Sequence, residues 1–213
     1  MTTLTWSDAL SLSHPTMDAT HIEFVALLAE ADEALHGPDA RLLGAFDTLV
    51  DHTVEHFAQE DRWMVASGFE PENCHTFQHR AVLQVMSECY RRARDENDFE
   101  PLRLAVGELA IWFPQHAQQM DAALAQHLAS VGFDEASGRC ARRSAPTAKP
   151  SPAAVAAAAA DQALLPLATG RPRPTAGRPP ADPAACLPDC LRWLRAKCAC
   201  AQAEVAQCLC GLA

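Results

Sequence analysis

Long apolar runs are missing from this 213-residue chain. No stretch of about 18 such residues occurs, which excludes a membrane-crossing helix. The run Ala153–Ala160 is short and only weakly hydrophobic. Strand signals are nearly absent as well, which argues against a sheet-based fold. Basic residues are scarce in the first 136 positions, where 7 Lys+Arg face 23 Asp+Glu, a net of −16. Such a surface repels phosphate and excludes nucleic acid as a partner of this part. The opening Met1-Thr-Thr-Leu-Thr-Trp-Ser-Asp8 has neither a basic segment nor an apolar run. No secretory signal is read there, and a cytoplasmic location is expected. Thiols in that compartment stay reduced, so the 9 Cys are not expected to form a disulfide framework.

What the last third lacks is histidine. All 9 His lie between His14 and His127, whereas ten Pro and a long Ala run follow Ser137, and six of the Cys follow from Cys186. Residues 137–213 hold 10 Lys+Arg against 4 Asp+Glu, a net of +6. The chain therefore divides into a folded domain at 1–136, an Ala/Pro-rich linker at 137–185 and a Cys-rich tail at 186–213. The linker's composition cannot build a core and is expected to be disordered. The tail could form one short helix.

Within the first domain, four segments carry helical periodicity between short breakers. The first runs from about Asp18 to Leu35 and stops at His36-Gly37-Pro38. The second runs from about Asp39 to Ala66, with Leu42, Leu43, Phe46, Leu49, Val50, Val54 and Phe57 on its apolar stripe, and ends at Ser67-Gly68. The third follows Pro71 and continues to about Arg94; the fourth begins near Pro101 and closes at Gly132. Four such helices with short loops predict an all-α, up-down-up-down antiparallel bundle. The first 17 residues, with Trp6 and Pro15, read as an arm over that bundle.

The chemistry lies in where His and carboxylate fall. The helices carry in turn His21, then His56-Phe-Ala-Gln-Glu60, then His75-Thr-Phe-Gln-His79, then His116-Ala-Gln-Gln-Met-Asp121. Residues four apart differ by only about 40° around a helix, so each such pair points one way. An antiparallel bundle can aim all of them into one central volume, giving five imidazoles and two carboxylates. Imidazole suits a first-row transition metal, whereas magnesium and calcium prefer oxygen alone. Seven ligands exceed what one ion takes, so two ions bridged by the carboxylates are implied. A single His on an apolar stripe is usually a core or surface residue; this ordered set is not explained that way.

At these residues the chain resembles the bacterial hemerythrins. The likeness covers about residues 4–134 and rests on Trp6-Ser-Asp, His21, His56-Phe-x-x-Glu60-x-x-x-Met64, His75-x-x-x-His79 and Trp112-Phe-x-x-His116-x-x-x-x-Asp121. The resemblance implies a bundle of the myohemerythrin kind with two iron ions and an oxo or hydroxo bridge. It implies that His75, His79 and His116 saturate one iron, that His21 and His56 hold the other with one position open, and that Glu60 and Asp121 bridge. Dioxygen would bind end-on at the open iron and leave again as oxygen. Around that position Phe24, Val25, Phe57, Trp112, Phe113 and Ala117 would form an apolar pocket that excludes water. The family usually has Leu and Ile where this chain has Phe113 and Ala117.

Other readings stay open at this stage. The first is an oxygen carrier, store or sensor; the second is a di-iron peroxidase or oxidase, or a handler of iron or nitric oxide. The apolar pocket offers no general acid or base, which favours the non-enzymatic reading. Glu72-x-x-His75 matches the ferritin-like pairing, but a second copy is missing. His14, His36, His52 and His127 match no ligand position, and Cys74 and Cys89 read as small core groups. In the tail, Cys198-x-Cys200 and Cys208-x-Cys210 could supply thiolates to zinc or copper(I); Cys without a dedicated function is the reading we favour. A protein partner docking through the tail is a further possibility. One conflict remains in the fourth helix. Residues five apart diverge by about 140° on a regular α-helix, too much for His116 and Asp121 to share a site. Pro114 lacks an N–H and cannot bond the carbonyl of Ala110. A π-bulge or kink between about Ala110 and Asp121, with Gln115 bonding Ala110 instead, is expected to turn Asp121 inward.

Overall fold

The computed structural model describes residues 4–70 and 73–141. The chain builds α1 (Pro15–Ala34), α2 (Asp39–Ser67), α3 (Cys74–Glu96) and α4 (Glu100–His116). A π-helical turn, Ala117–Asp121, continues α4 directly into α5 (Ala122–Val131), so the fourth rod is continuous. Each rod packs on its sequence neighbours, and α4 closes the ring on α1. This is the four-helix bundle that the periodicity predicts. Among the described residues no helix is long and apolar enough to cross a membrane.

The helix ends follow from local chemistry. α1 begins three residues before the expected Asp18, because Pro15 is preorganised for a first turn and the His14 side chain accepts from the Met17 amide at 3.4 Å. Asp18 is thereby free to hold the arm, accepting from Ser11 Oγ and the Leu12 amide, both at 2.7 Å. Asn73 caps α3 by accepting from the amides of His75 and Thr76, and Thr76 Oγ1 accepts from the Asn73 amide in return. That reciprocal cap fixes the turn that carries His75. Gly68 and Gly132 end α2 and α5 at φ +76 and +60, the left-handed region that glycine enters without strain.

Two apolar clusters fill the interior. The larger runs from Ala34, Leu42 and Leu102 up to Phe24, Phe57, Trp112 and Phe113. The smaller gathers Met17, Trp63, Met64, Leu124 and Leu128. In α1, α2 and the fourth rod a polar stretch separates the two: His21, His56 to Glu60, and Asp121. The arm lies over the bundle as expected, with Leu4 and Trp6 packed against the larger cluster. Arg103 reaches across from α4 to the Leu35 carbonyl at 2.8 Å and to Asp39, pinning the first turn.

After Gly132 the chain makes a feature the sequence reading does not contain. Two short strands, β1 (Phe133–Asp134) and β2 (Arg139–Cys140), pair antiparallel. The Ala141 amide donates to the Gly132 carbonyl at 2.9 Å and Cys140 Sγ lies 3.8 Å from the Ser67 carbonyl. The boundary expected after Ala136 therefore falls inside this hairpin. The linker read at 137–185 lies outside the described residues from 142 onward, and the tail read at 186–213 lies wholly outside them, with the metal and partner readings attached to it.

Candidate metal centre

The fourth rod decides whether the site can form. Pro114 sits inside α4, and three residues later the bonding changes: the Ala122 amide donates to the Ala117 carbonyl, an i to i+5 bond. The π turn thus falls within the expected window, but downstream of Pro114 rather than at the Ala110 carbonyl. In such a turn residues five apart come nearly into line. His116 Nε2 and Asp121 Oδ1 stand 3.1 Å apart, both side chains fully buried.

All seven side chains meet in the polar stretch. Asp121 approaches His21 Nε2 at 3.1 Å and His75 Nε2 at 2.9 Å. Glu60 approaches His56 and His79 Nε2 at 3.3 Å and His75 Nε2 at 3.2 Å. Glu60, His75, His79, His116 and Asp121 each offer a donor atom within 4.8 Å of the others, and so do His21, His56, Glu60 and Asp121. The two groups share both carboxylates. None of the seven is more than 4% exposed.

Short as they are, most of these contacts lack the direction of a hydrogen bond. Nε2 of His21, His75, His79 and His116, both Asp121 oxygens and Glu60 Oε2 are buried without a bonded partner. Buried polar atoms are nearly always bonded, so this many orphans in one volume point to a cation among them. The donor set, imidazole nitrogen with carboxylate oxygen, is that of a transition metal. These residues can hold a metal.

Two neighbours that the sequence reading missed orient the imidazoles. His79 Nδ1 lies 3.0 Å from Asp61 Oδ1, and His116 Nδ1 lies 3.0 Å from Gln78 Oε1. Partners of this kind hold the proton on Nδ1 and leave the Nε2 lone pair free for a metal. Their signal was adjacency, Asp61 following Glu60 and Gln78 preceding His79, but neighbours of ligands are polar too often for that to single them out. His52, set aside earlier, sits one turn before His56 with its Nε2 3.4 Å from Glu23. His14 caps α1, His36 is exposed, and His127 Nε2 lies 3.2 Å from the Ser67 carbonyl.

Aromatic rings wall the site on its larger-cluster side. Phe57 stacks on His79 at 3.9 Å between centroids, and Trp112 on His116 at 4.4 Å. Phe113 meets His21 edge-on at 5.1 Å and Phe24 stacks on Phe113 at 4.5 Å. Val25 and Ala117 are buried in the same cluster. All six residues of the expected pocket are therefore core residues of the larger cluster. Cys89, buried deeper in that cluster, has its thiol pushed up to about 12 by burial and is chemically quiet.

Charge in the metal-free site is balanced by protons. Burial acts to raise both carboxylates, yet the imidazoles around them hold Glu60 and Asp121 well below the usual carboxylate range. Burial likewise acts against imidazolium, but Asp121 and Glu60 outweigh it, so His21 is raised and His75 is pushed up to about 10. For His116 burial wins, taking it down to about 4. A metal must displace the protons on His21 and His75. Metal uptake at about pH 6 is therefore expected to release protons into a weakly buffered solution, and affinity is expected to fall as the pH is lowered. An indicator dye that registers no release would show those imidazoles to be neutral before binding.

A helical bundle with imidazoles and carboxylates gathered in its core defines a class, the bundle proteins whose interior can hold metal. Comparison with known proteins narrows the class. Residues 13–128 match the family described as Hemerythrin HHE cation binding domain. A bacteriohemerythrin of Ralstonia nicotianae is 39% identical over 134 residues, covering 63% of this chain and 95% of that protein. One from Pseudomonas aeruginosa is 27% identical over 124 residues, covering 57% and 79%. No solved structure matches. The chain belongs to the hemerythrin family.

Proposed function

We propose that the chain binds dioxygen reversibly at a pair of iron ions, as a carrier, store or sensor and not as a catalyst. The observation that carries this reading is the unequal sharing of donors: three imidazoles stand with Glu60 and Asp121 in one group and two in the other. His75, His79 and His116 would complete one ion. His21 and His56 would hold the second with one fewer imidazole, and Glu60 and Asp121 would be shared between the two. Such a pair, when bound, supplies two electrons that can be lent to oxygen and recovered. The chain's own residues govern the rest. Phe113 covers His21 edge-on and Phe24 backs Phe113, both with rings that hold no proton to give. A dry wall of this kind keeps water and acid from the second ion. Asp61 and Gln78 hold the proton on Nδ1 of His79 and His116, which keeps those ligands in one tautomer.

The test is an absorption spectrum of the reduced protein before and after air. About two irons per chain are expected, as bridged carboxylate sites of this fold hold. Oxygen should raise a visible charge-transfer band that vanishes under vacuum. Iron near one per chain, zinc in its place, or a band that does not reverse would overturn the reading.

A further inference from the structure

The donors are too deeply buried for a hydrated ion to reach them from solution without a path. One cleft leads toward them. It lies between α1 and α2, has a volume of about 230 Å³, and counts His56 and Glu60 among its walls. Both are at least nine-tenths buried, and His56 Nδ1 and Glu60 Oε2 have no hydrogen-bond partner. His75, His79 and His116 do not line it. The path therefore meets the side with two imidazoles.

The outer part of the cleft carries the chemistry of a weak metal ligand set. Glu23 from α1 faces His52 from α2 at 3.4 Å, and exposed Glu55 lies beside them in the lining. His52, His56 and Glu60 fall four apart along α2, so they form one stripe of donors. Arg62 is the one Arg or Lys in the lining, and its guanidinium is engaged, donating to Gln59 Oε1 at 2.9 Å. Glu23 and Glu55 against one guanidinium leave the mouth of the cleft negative, and a cleft of one sign concentrates counter-ions there.

We propose that this cleft is the route by which divalent metal reaches the core, with Glu23, His52 and Glu55 as transit ligands that hand the ion to His56 and Glu60. The proposal rests on the reading of the buried cluster as a metal pair. Exchange of water for one carboxylate or imidazole at a time spares the ion a single, complete dehydration before it enters the bundle. The route also sets an order, in which the position beside His56 is passed before that beside His79.

The test is cobalt(II) uptake by metal-free full-length protein, followed by the growth of its visible absorption after rapid mixing. Glu23→Gln/Glu55→Gln is compared with a charge-matched control, Glu30→Gln/Glu33→Gln, at the far end of α1. The first pair is expected to slow uptake about tenfold, with His52→Gln slowing it as well. Final cobalt content and the melting temperature of the loaded protein should match those of the unsubstituted chain. An unchanged rate would overturn the route, as would equal slowing by the control pair, which would mean that overall charge alone attracts the ion. Lower final content would also overturn it, by making these residues part of the site. Failure of the unsubstituted protein to take up cobalt would instead remove the metal-pair reading, and the route with it.

Discussion

Asp121→Ala protein is expected to lose the metal pair outright and to unfold more easily even without metal. Among the described residues Asp121 is the one side chain that approaches imidazoles from α1, α3 and α4 at once, through His21, His75 and His116. Alanine removes one of the two carboxylates that both donor groups share. In the metal-free protein the same change strips His21 and His75 of the charge that keeps their protons in place. Deleting one partner of a buried ionic set typically costs about 3–5 kcal/mol, because the remaining charge is left uncompensated. Elemental analysis and denaturant unfolding of the metal-free variant check both halves. A variant that keeps two irons at unchanged stability would mean that Asp121 is a bystander, and that the π turn serves packing alone.

Phe113→Ala is the second large effect. Phe113 is 1% exposed, edge-on to His21 and stacked on Phe24. Truncation of a buried Phe to Ala costs about 3–5 kcal/mol, from lost transfer energy and the cavity left behind. That cavity would border His21, and water admitted there brings protons to a site whose wall otherwise has none to give. Faster loss of oxygen-binding competence in air is expected, together with a lower unfolding midpoint. Phe113→Leu restores bulk without the ring and should recover most of the midpoint. If Phe113→Ala lowers the midpoint but leaves the autoxidation rate alone, the residue is core only.

The helices and the donor pairs His56/Glu60 and His75/His79 were legible because both obey the period of the α-helix. Leu42, Phe46 and Leu49 mark a face, and His75 with His79 marks the same kind of face, so one rule reads core and site together. The five-residue step from His116 to Asp121 broke the rule, and the break itself pointed to the π turn. Its position relative to Pro114 was not legible, because the bonding of a helix beyond a proline depends on what its next face must pack against. Asp61, Gln78 and His52 were hidden for a different reason. They act through side-chain partners on other helices, and spacing within one helix carries no record of those. The hairpin after Gly132 escaped because strands of two residues leave no alternation to detect. The first helix was read short because a histidine seldom caps a helix, whereas here His14 does.

The π turn also leaves a mark on everything after it. Up to His116 the buried residues of the fourth rod follow one spiral: Leu102, Ala105, Leu109, Trp112, His116. Extended at 3.6 residues per turn, that spiral would next bury residues near Met120, Ala123 and His127. After Ala117 the residues actually buried are Asp121, Leu124, Ala125, Leu128 and Val131, a set displaced by about one position. The rod thus contains a dislocation, in the crystallographer's sense: two regular lattices joined with one extra residue between them. Deleting any single residue from Ala117 to Met120 would heal the dislocation. It would leave Asp121 four residues after His116 and the Leu124–Val131 face on the smaller apolar cluster, since residues four apart on a regular helix point the same way. Straightening the rod with the extra residue kept would instead turn both away by about 100°. Metal binding and the packing of the bundle's far end are thereby tied to the same inserted residue, and neither can drift in register without the other.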